Sequence, residues 1–346
     1  MNIILQEDIS SFVDKISLGD EFRGKTFLIT GATGLIGSIL TKCLVKLDQV
    51  KQLNLIIVCP VRNIEKARTV FEDTFNCLVI VECDLCDYLK NLKKRFDYII
   101  HCASPTSSRF FVENPVETYN LAVDSTRLIL DNIKNYGTES MVFVSSLEVY
   151  GSILDDKEQV TEDCQGYINP LDTRSSYSMG KRSAECLCYL YSKEYDLPVK
   201  IARLTQTFGA GVSKDDNRVF AQFARSAVNN ENIVLHTTGE SAKPYCYTTD
   251  CICAILFIML YGEKGQAYNV ANESTYISIK EMAELIVEKF NPTIKVVQEL
   301  HSDLGYAPIT KLRLSTEKLR NLGWAPRYNL VEMFERYIKS IRINMI

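Results

Sequence analysis

The chain has 346 residues, 46% of them hydrophobic and 24% charged, with 39 basic against 43 acidic residues and a net charge of −4. This is ordinary globular composition, long enough for a large core and about two domains, and without a basic block it argues against a nucleic-acid partner or an anionic membrane surface. Residues 1–16 carry Glu7, Asp8 and Asp14, which suits no signal peptide, and the longest later apolar run, residues 252–261, is too short to span a bilayer, so the chain reads as cytoplasmic with no membrane partner.

In chain order, an amphipathic helix comes first. Residues 25–30 then read as a buried strand, which Gly31-Ala32-Thr33-Gly34-Leu35-Ile36-Gly37 turns into a helix through residues 39–47. Strand-like runs recur at 55–58, 78–81, 98–101, 141–145 and 199–204, separated by helical patterns, notably 116–135 and 176–195. Alternating strands and helices predict a parallel sheet covered on both faces. Beyond about Thr205 the alternation breaks down among loops rich in Gly, Asp, Asn and Thr, with helical pieces at 219–229, 249–261 and 279–290. The expected architecture is α/β: a Rossmann-type doubly wound parallel sheet over 1–204, and a smaller C-terminal α/β substrate-binding domain over 205–346, some of whose segments return to the first domain.

Gly31, Gly34 and Gly37 are spaced Gly-x-x-Gly-x-x-Gly between a strand and a helix. Absent side chains there let the backbone approach a pyrophosphate, whose charge is favoured at a helix N-terminus. Asp84 and Leu85 follow the third strand, and His101-Cys102-Ala103-Ser104 follows the fourth, where such a sheet meets a dinucleotide. Taken alone, Asp84 is equally a turn or cap residue, and His101 is best read as a satisfied strand-end imidazole. The second strand ends in Arg62-Asn63 and lacks the acid that usually holds the ribose of NAD. Arg62 would suit a 2′-phosphate or simply start a helix, so NADP stays open beside NAD.

Tyr177 and Lys181 stand four residues apart on one predicted helix, which points both side chains the same way. An ammonium beneath the phenol would favour the phenolate and make Tyr177 a general base. The 12 cysteines mostly fall in apolar patterns, as at Cys59 and in Cys186-Leu187-Cys188, where thiols act as small hydrophobes. Cys83 and Cys86 make a two-residue spacing that no second pair or His cluster completes, so no metal is expected.

With Gly31, Gly34 and Gly37, the Ser145-Ser146-Leu147-Glu148-Val149-Tyr150-Gly151 run and the Tyr177/Lys181 pair, the chain resembles the extended short-chain dehydrogenase/reductases over nearly its whole length. The branch is that of the NAD-dependent nucleotide-sugar epimerases and dehydratases. The resemblance implies that Leu35 and Ile36 lie on the cofactor, as Arg62, Asp84, Leu85, Ala103, Tyr177 and Lys181 would. Ser146 would hydrogen-bond the sugar hydroxyl being oxidised, Tyr177 would take its proton and Lys181 would hold the nicotinamide ribose. Ser104 would touch the substrate. The implied intermediate is a transient 4-keto sugar.

The run Gly166-Tyr167-Ile168-Asn169-Pro170 through Glu185, and Asp216-Asn217-Arg218-Val219, are most similar to UDP-glucuronate decarboxylases. That similarity makes Glu148 an active-site glutamate and places Arg218 on the nucleotide or diphosphate. Three positions depart. Leu147 replaces the aspartic acid of the 4,6-dehydratases, and a leucine cannot donate a proton. Lys243, ahead of Tyr247-Thr248-Thr249-Asp250, replaces an arginine, and it lacks that residue's planar fork. Gln206 stands where Asn is common.

Uronate decarboxylation is therefore the nearest reading. Alternatives are 4-epimerisation, favoured if Lys243 points to solvent, a net reductase or dehydrogenase exchanging free cofactor, and a binding protein that kept the fold and lost the chemistry. Members of the family dimerise through two helices per subunit, here 116–135 and the Tyr177 helix. Leu121, Leu128, Leu187 and Leu190 would line that homodimer bundle or face the sheet. The implied setting is bacterial polysaccharide precursor synthesis.

Overall fold

The computed structural model describes residues 2–105, 107–300 and 309–343. Its centre is a seven-stranded parallel sheet. Six strands come from the first part of the chain: β1 (Thr26–Thr30), β2 (Ile56–Val61), β3 (Val79–Glu82), β4 (Tyr98–His101), β5 (Ser140–Ser146) and β6 (Val199–Leu204). Shorter strands follow: β7 (Gln206–Phe208), β8 (Ile233–Leu235), β9 (Ala242–Tyr247), β10 (Ala267–Val270), β11 (Asn272–Ser278) and β12 (Val296–Gln298). Across the main sheet the order is β10-β6-β5-β4-β1-β2-β3. The order reverses between β1 and β4, and in such sheets ligands bind at that switch point, outside the carboxyl ends of the strands.

The sheet is doubly wound because its strands are apolar on both faces. Leu28, Ile99, Phe143 and Ile201 face one side, where α4 (Leu85–Lys90), α6 (Pro115–Tyr136) and α7 (Ser175–Tyr195) cover them. Phe27, Ile29, Ile100 and Val142 face the other, covered by α1 (Ile3–Lys15), α2 (Leu35–Lys51) and α9 (Thr248–Tyr261). The remaining helices are α3 (Ile64–Phe71), α5 (Ser108–Glu113), α8 (Val219–Asn229), α10 (Ile279–Phe290), α11 (Glu317–Arg320) and α12 (Leu330–Ile343).

The later part of the chain divides its loyalty. β10 pairs with β6 as an edge of the main sheet, and α9 is a main-sheet helix. In contrast, β7, β9 and β11 form a second sheet, and α8, α10 and α12 pack with them around Phe208, Phe220, Met282 and Phe334. Of the thiols expected to be buried, Cys59 and Cys188 are, but Cys186 is exposed, since residues two apart on a helix face different ways. Among the described residues no His/Cys/Asp/Glu group is arranged to hold a metal, and no helix is long and apolar enough to cross a membrane.

The first and last helices are joined by a buried charge. Asp8 accepts from Arg336 Nε at 2.6 Å and from Tyr247 Oη at 2.5 Å, tying α1 to α12 and to the end of β9. Burial raises the Asp8 pKa, while Tyr247 and Arg336 oppose the rise. Arg336→Met leaves that carboxylate buried without its cation, and the expected cost at neutral pH is about 3 kcal/mol. Because a raised folded pKa means that the folded chain holds a proton the unfolded chain releases, the deficit against wild type widens as pH rises from about 4 to 7. Urea unfolding at several pH values checks both the size and the slope.

Candidate active site

The turn after β1 is shaped by close backbone approach. Gly31 has φ +66°, and a Cβ there would lie 2.7 Å from the Ala103 nitrogen at the end of β4. A Cβ on Gly37 would collide with the Gly31 carbonyl oxygen. Gly34 is the N-cap of α2 and provides no side-chain cap, so the first N–H groups of the helix around Leu35 and Ile36 are left for an anion. Ser104 Oγ, just beyond Ala103, is buried and has no hydrogen-bond partner among the described residues. A backbone cradle at a helix N-terminus beside an orphaned hydroxyl fits a dinucleotide such as NAD.

The other expected cofactor contacts follow the carboxyl ends of the neighbouring strands. Asp84 caps α4 by accepting from the Asp87 N–H at 3.1 Å, Leu85 is buried behind it, and Arg62 is exposed at the end of β2. His101 is enclosed by Thr30 Oγ1 at 2.6 Å and Ser125 Oγ at 3.1 Å. Burial, with Lys181 adding to it, lowers its pKa to about 3, so this imidazole is a neutral structural group.

Ser146 ends β5, and its Oγ accepts from the Glu148 N–H at 3.2 Å and lies near enough to the Tyr177 phenol to oppose the rise in its pKa. Tyr177 is half-buried near the start of α7, with its ring stacked on Phe111 of α5 at 4.4 Å and 8°. Lys181 Nζ lies over the Tyr177 ring, 6.0 Å from its centroid, on the side that the spacing predicts, and donates to the Val144 carbonyl at 2.8 Å. The expected acidification does not follow: burial raises the Tyr177 pKa and the Glu148 carboxylate adds to the rise, with Ser146 and Arg218 acting against it. Burial instead lowers Lys181, to about 8.

Glu148 faces this pair, half-buried, and accepts from Ser178 Oγ at 3.2 Å. Lys243 enters from β9, which Thr205 Oγ1 ties to the end of β6 by donating to the Pro244 carbonyl at 2.5 Å. It is half-buried, and its pKa is lowered by burial and by the Arg174 and Arg218 charges, against the pull of Glu148. Arg218 is held by Asp216 through both carboxylate oxygens, at 2.6 to 3.1 Å. Gln206 begins β7, paired with Tyr245. The sequence reading missed Arg174 and Phe111. The signal for Arg174 was its place three residues before Tyr177, one helical turn away; Phe111 left none.

The arrangement combines a hydroxyl, a phenol and a buried lysine at the carboxyl ends of β5 and α7's first turns with Lys243 and Arg174. Neither of those two cations has an ion-pair partner among the described residues. Such a site can remove a proton from a hydroxyl while holding an anion nearby.

A model of the NAD dependent epimerase/dehydratase family matches residues 27–271. UDP-glucuronic acid decarboxylase 5 of Arabidopsis thaliana is 30% identical over 261 residues, covering 75% of this chain and 74% of the relative. UDP-glucuronic acid decarboxylase 1 of Xenopus tropicalis is 28% identical over 321 residues, 92% of this chain and 72% of the relative. Among solved structures, UDP-glucose 4-epimerase of Thermotoga maritima has a TM-score of 0.76 at 18% identity, covering 93% of this chain and 100% of that one. UDP-N-acetylglucosamine 4-epimerase of Methanobrevibacter ruminantium has a TM-score of 0.76 at 20% identity, covering 94% and 100%.

Two outcomes are expected. Gly37→Ala forces the Gly31 carbonyl out of the cradle, and the purified variant carries less than about a tenth of the NAD that wild type binds, read by releasing and quantifying cofactor. In cofactor-free protein, the near-ultraviolet phenolate titration of Tyr177→Phe overlays that of wild type between about pH 6 and 9, because the Tyr177 proton is retained throughout that range.

Proposed function

The chain belongs to the NAD dependent epimerase/dehydratase family, and we propose that within it this NAD-dependent nucleotide-sugar enzyme decarboxylates a nucleotide-linked uronate, with UDP-glucuronate the nearest candidate. The observation that supports the reading is Lys243, half-buried and within the electrostatic reach of Glu148, Arg174 and Arg218, while neither Lys243 nor Arg174 has an ion-pair partner among the described residues.

The Gly31 to Gly37 turn would hold NAD, which would supply the hydride acceptor for the C4 hydrogen and return it at the end. Ser146 hydrogen-bonds the C4 hydroxyl and Tyr177 takes its proton. Ketone formation at C4 makes the C6 carboxylate that of a β-keto acid. The C5–C6 bond then breaks, carbon dioxide leaves, and the electron pair moves onto the C4 oxygen, where Tyr177 and Ser146 stabilise it. Lys243 and Arg174 orient the carboxylate until it departs, and Glu148 carries the proton that C5 receives. Arg218, fixed by Asp216, and Gln206 face the nucleotide diphosphate. The region after residue 204, apart from α9 and β10, provides the nucleotide-sugar wall. Two copies of the chain associate through α6 and α7, where Val116 and Leu190 are exposed.

A second reading, 4-epimerisation, draws on Lys243 itself: a single ammonium grips a carboxylate less well than a guanidinium fork and suits a neutral hexose.

The test is incubation with UDP-glucuronate and a panel of UDP-, dTDP-, GDP- and CDP-sugars. The expected product is the pentose nucleotide, lighter by one carbon dioxide; an isomer of unchanged mass sinks the decarboxylase reading. Lys243→Met is expected to reduce kcat/KM on the uronate by about a hundredfold or more, and steady-state kinetics with a coupled carbon dioxide assay check it.

A further inference from the structure

Behind the site lies a buried ion pair that the chemistry above does not use. Arg203 of β6 grips Glu185 of α7, with Nε 3.1 Å from each carboxylate oxygen and Nη2 2.8 Å from Oε2. Their side chains are only 10% and 8% exposed. Arg203 Nη1 also donates to Tyr150 Oη at 3.1 Å and to the Glu162 carbonyl at 2.7 Å. Ser145 Oγ donates to Glu185 Oε1 at 2.5 Å, and Ser145 stands opposite Arg203 in the β5–β6 register. From Tyr150 the chain of bonds continues to Asn269 Oδ1 at 2.7 Å, on β10.

Two rungs thus join α7 to β5. Lys181 binds the Val144 carbonyl and Glu185 binds Ser145, the residues two and one before Ser146. Tyr177, Lys181 and Glu185 are spaced i, i+4 and i+8, along one face of the helix. A slip of α7 along the strand would carry Tyr177 away from Ser146, and misplacement by about 1 Å costs catalysis far more than folding. A buried ion pair is seldom a net source of stability compared with apolar side chains of the same size, so stability gives little reason for charge at this position.

We infer that Glu185 and Arg203, with Ser145 and Tyr150, are positioning residues that fix the register of α7 against β5 and thereby the approach of Tyr177 to Ser146. The inference rests on the role proposed above for Ser146, Tyr177 and Lys181.

The test compares wild type with the double variant Glu185→Leu/Arg203→Met, which replaces both charges by apolar side chains of similar volume. Thermal unfolding, bound NAD, KM and kcat are measured on the nucleotide sugar that wild type turns over. The expected result is a folded protein with wild-type NAD content, KM within about twofold and kcat lowered about tenfold or more. A folded double variant with wild-type kcat, or with a loss confined to KM, overturns the inference. If that variant does not fold, Ser145→Ala takes its place, since it deletes one rung and leaves the ion pair intact. A kcat lowered about threefold or more at unchanged KM is then the supporting result, and unchanged kcat the overturning one. Wild-type failure on UDP-glucuronate sinks the decarboxylase reading alone, because the comparison then uses whichever sugar of the panel reacts.

Discussion

Three stretches of backbone must meet where β1 ends, and the rest of the site is arranged around that meeting. Gly31 turns with a positive φ while the end of β4 passes against it at Ala103 and the first turn of α2 passes on its other side at Gly37. No residue with a Cβ fits at either contact without displacing main chain. The result is a row of N–H groups at a helix N-terminus, opening at the point where the strand order reverses. Because all seven strands run parallel, Ser146 from β5 and the turn after β6 finish on this same edge. Only β9, tied to β6 through Thr205 and Pro244, has to be brought in from the second sheet to deliver Lys243.

Burial sets the electrostatics of what is delivered there. It pulls Lys181 down to about 8 and raises Tyr177. These two movements oppose each other as far as base catalysis by tyrosine is concerned: a less charged lysine assists a phenolate less, and a desolvated phenol gives up its proton less readily. Positive potential from Arg218 and the Ser146 hydrogen bond work in the opposite sense, and the Glu148 carboxylate works with burial. Arg218 is the cation whose field reaches the phenol, so an anionic substrate that engaged it would weaken that support. As a proposed base, the phenol would therefore depend for its activation on the contacts made directly to it and on charge brought by the bound reactants, more than on Lys181 through space.

Much of this was legible from the residues because periodicity and motif spacing are local. The strands 98–101 and 199–204 and the helices 219–229 and 279–290 were read with the bounds the structure gives them. Buried parallel strands and amphipathic helices leave patterns that tertiary context rarely overrides. What escaped was long-range pairing. β10 is four residues with no pattern of its own, and only its partner β6, more than sixty residues earlier, makes it part of the main sheet. The anchor of Lys181 escaped for a related reason. Spacing of i, i+4 puts two side chains on one helix face, yet the carbonyl of Val144 on a neighbouring strand decides where the ammonium goes. The same holds for Arg174 and Lys243, which feel each other's charge though far apart in sequence.

The departures from the family pattern form one argument when placed in the fold. Leu147 is buried in a small cluster with Val149, Tyr150, Leu312 and Leu314, so its side chain is committed to packing. An acid at 147 would have been desolvated there, whereas Glu148, next along the turn, is half-buried and hydrogen-bonded by Ser178. On the proposed reading one carboxyl group would serve where the dehydratases have two, which would remove the proton donor that elimination of a hydroxyl requires and leave intact what a β-keto acid needs. Loss of carbon dioxide requires no acid at the leaving group, only a ketone at C4, hydrogen-bond donors for the developing enolate and a fixed carboxylate. On the proposed reading Ser146 and Tyr177 would provide the donors, and Lys243 with Arg174 the fixation. Substituting lysine for the planar arginine fork is tolerable in such a reaction because the carboxylate is a departing group: it must be oriented before the bond breaks and released after it, and a guanidinium that held it more tightly would bind the ground state without adding to the rate.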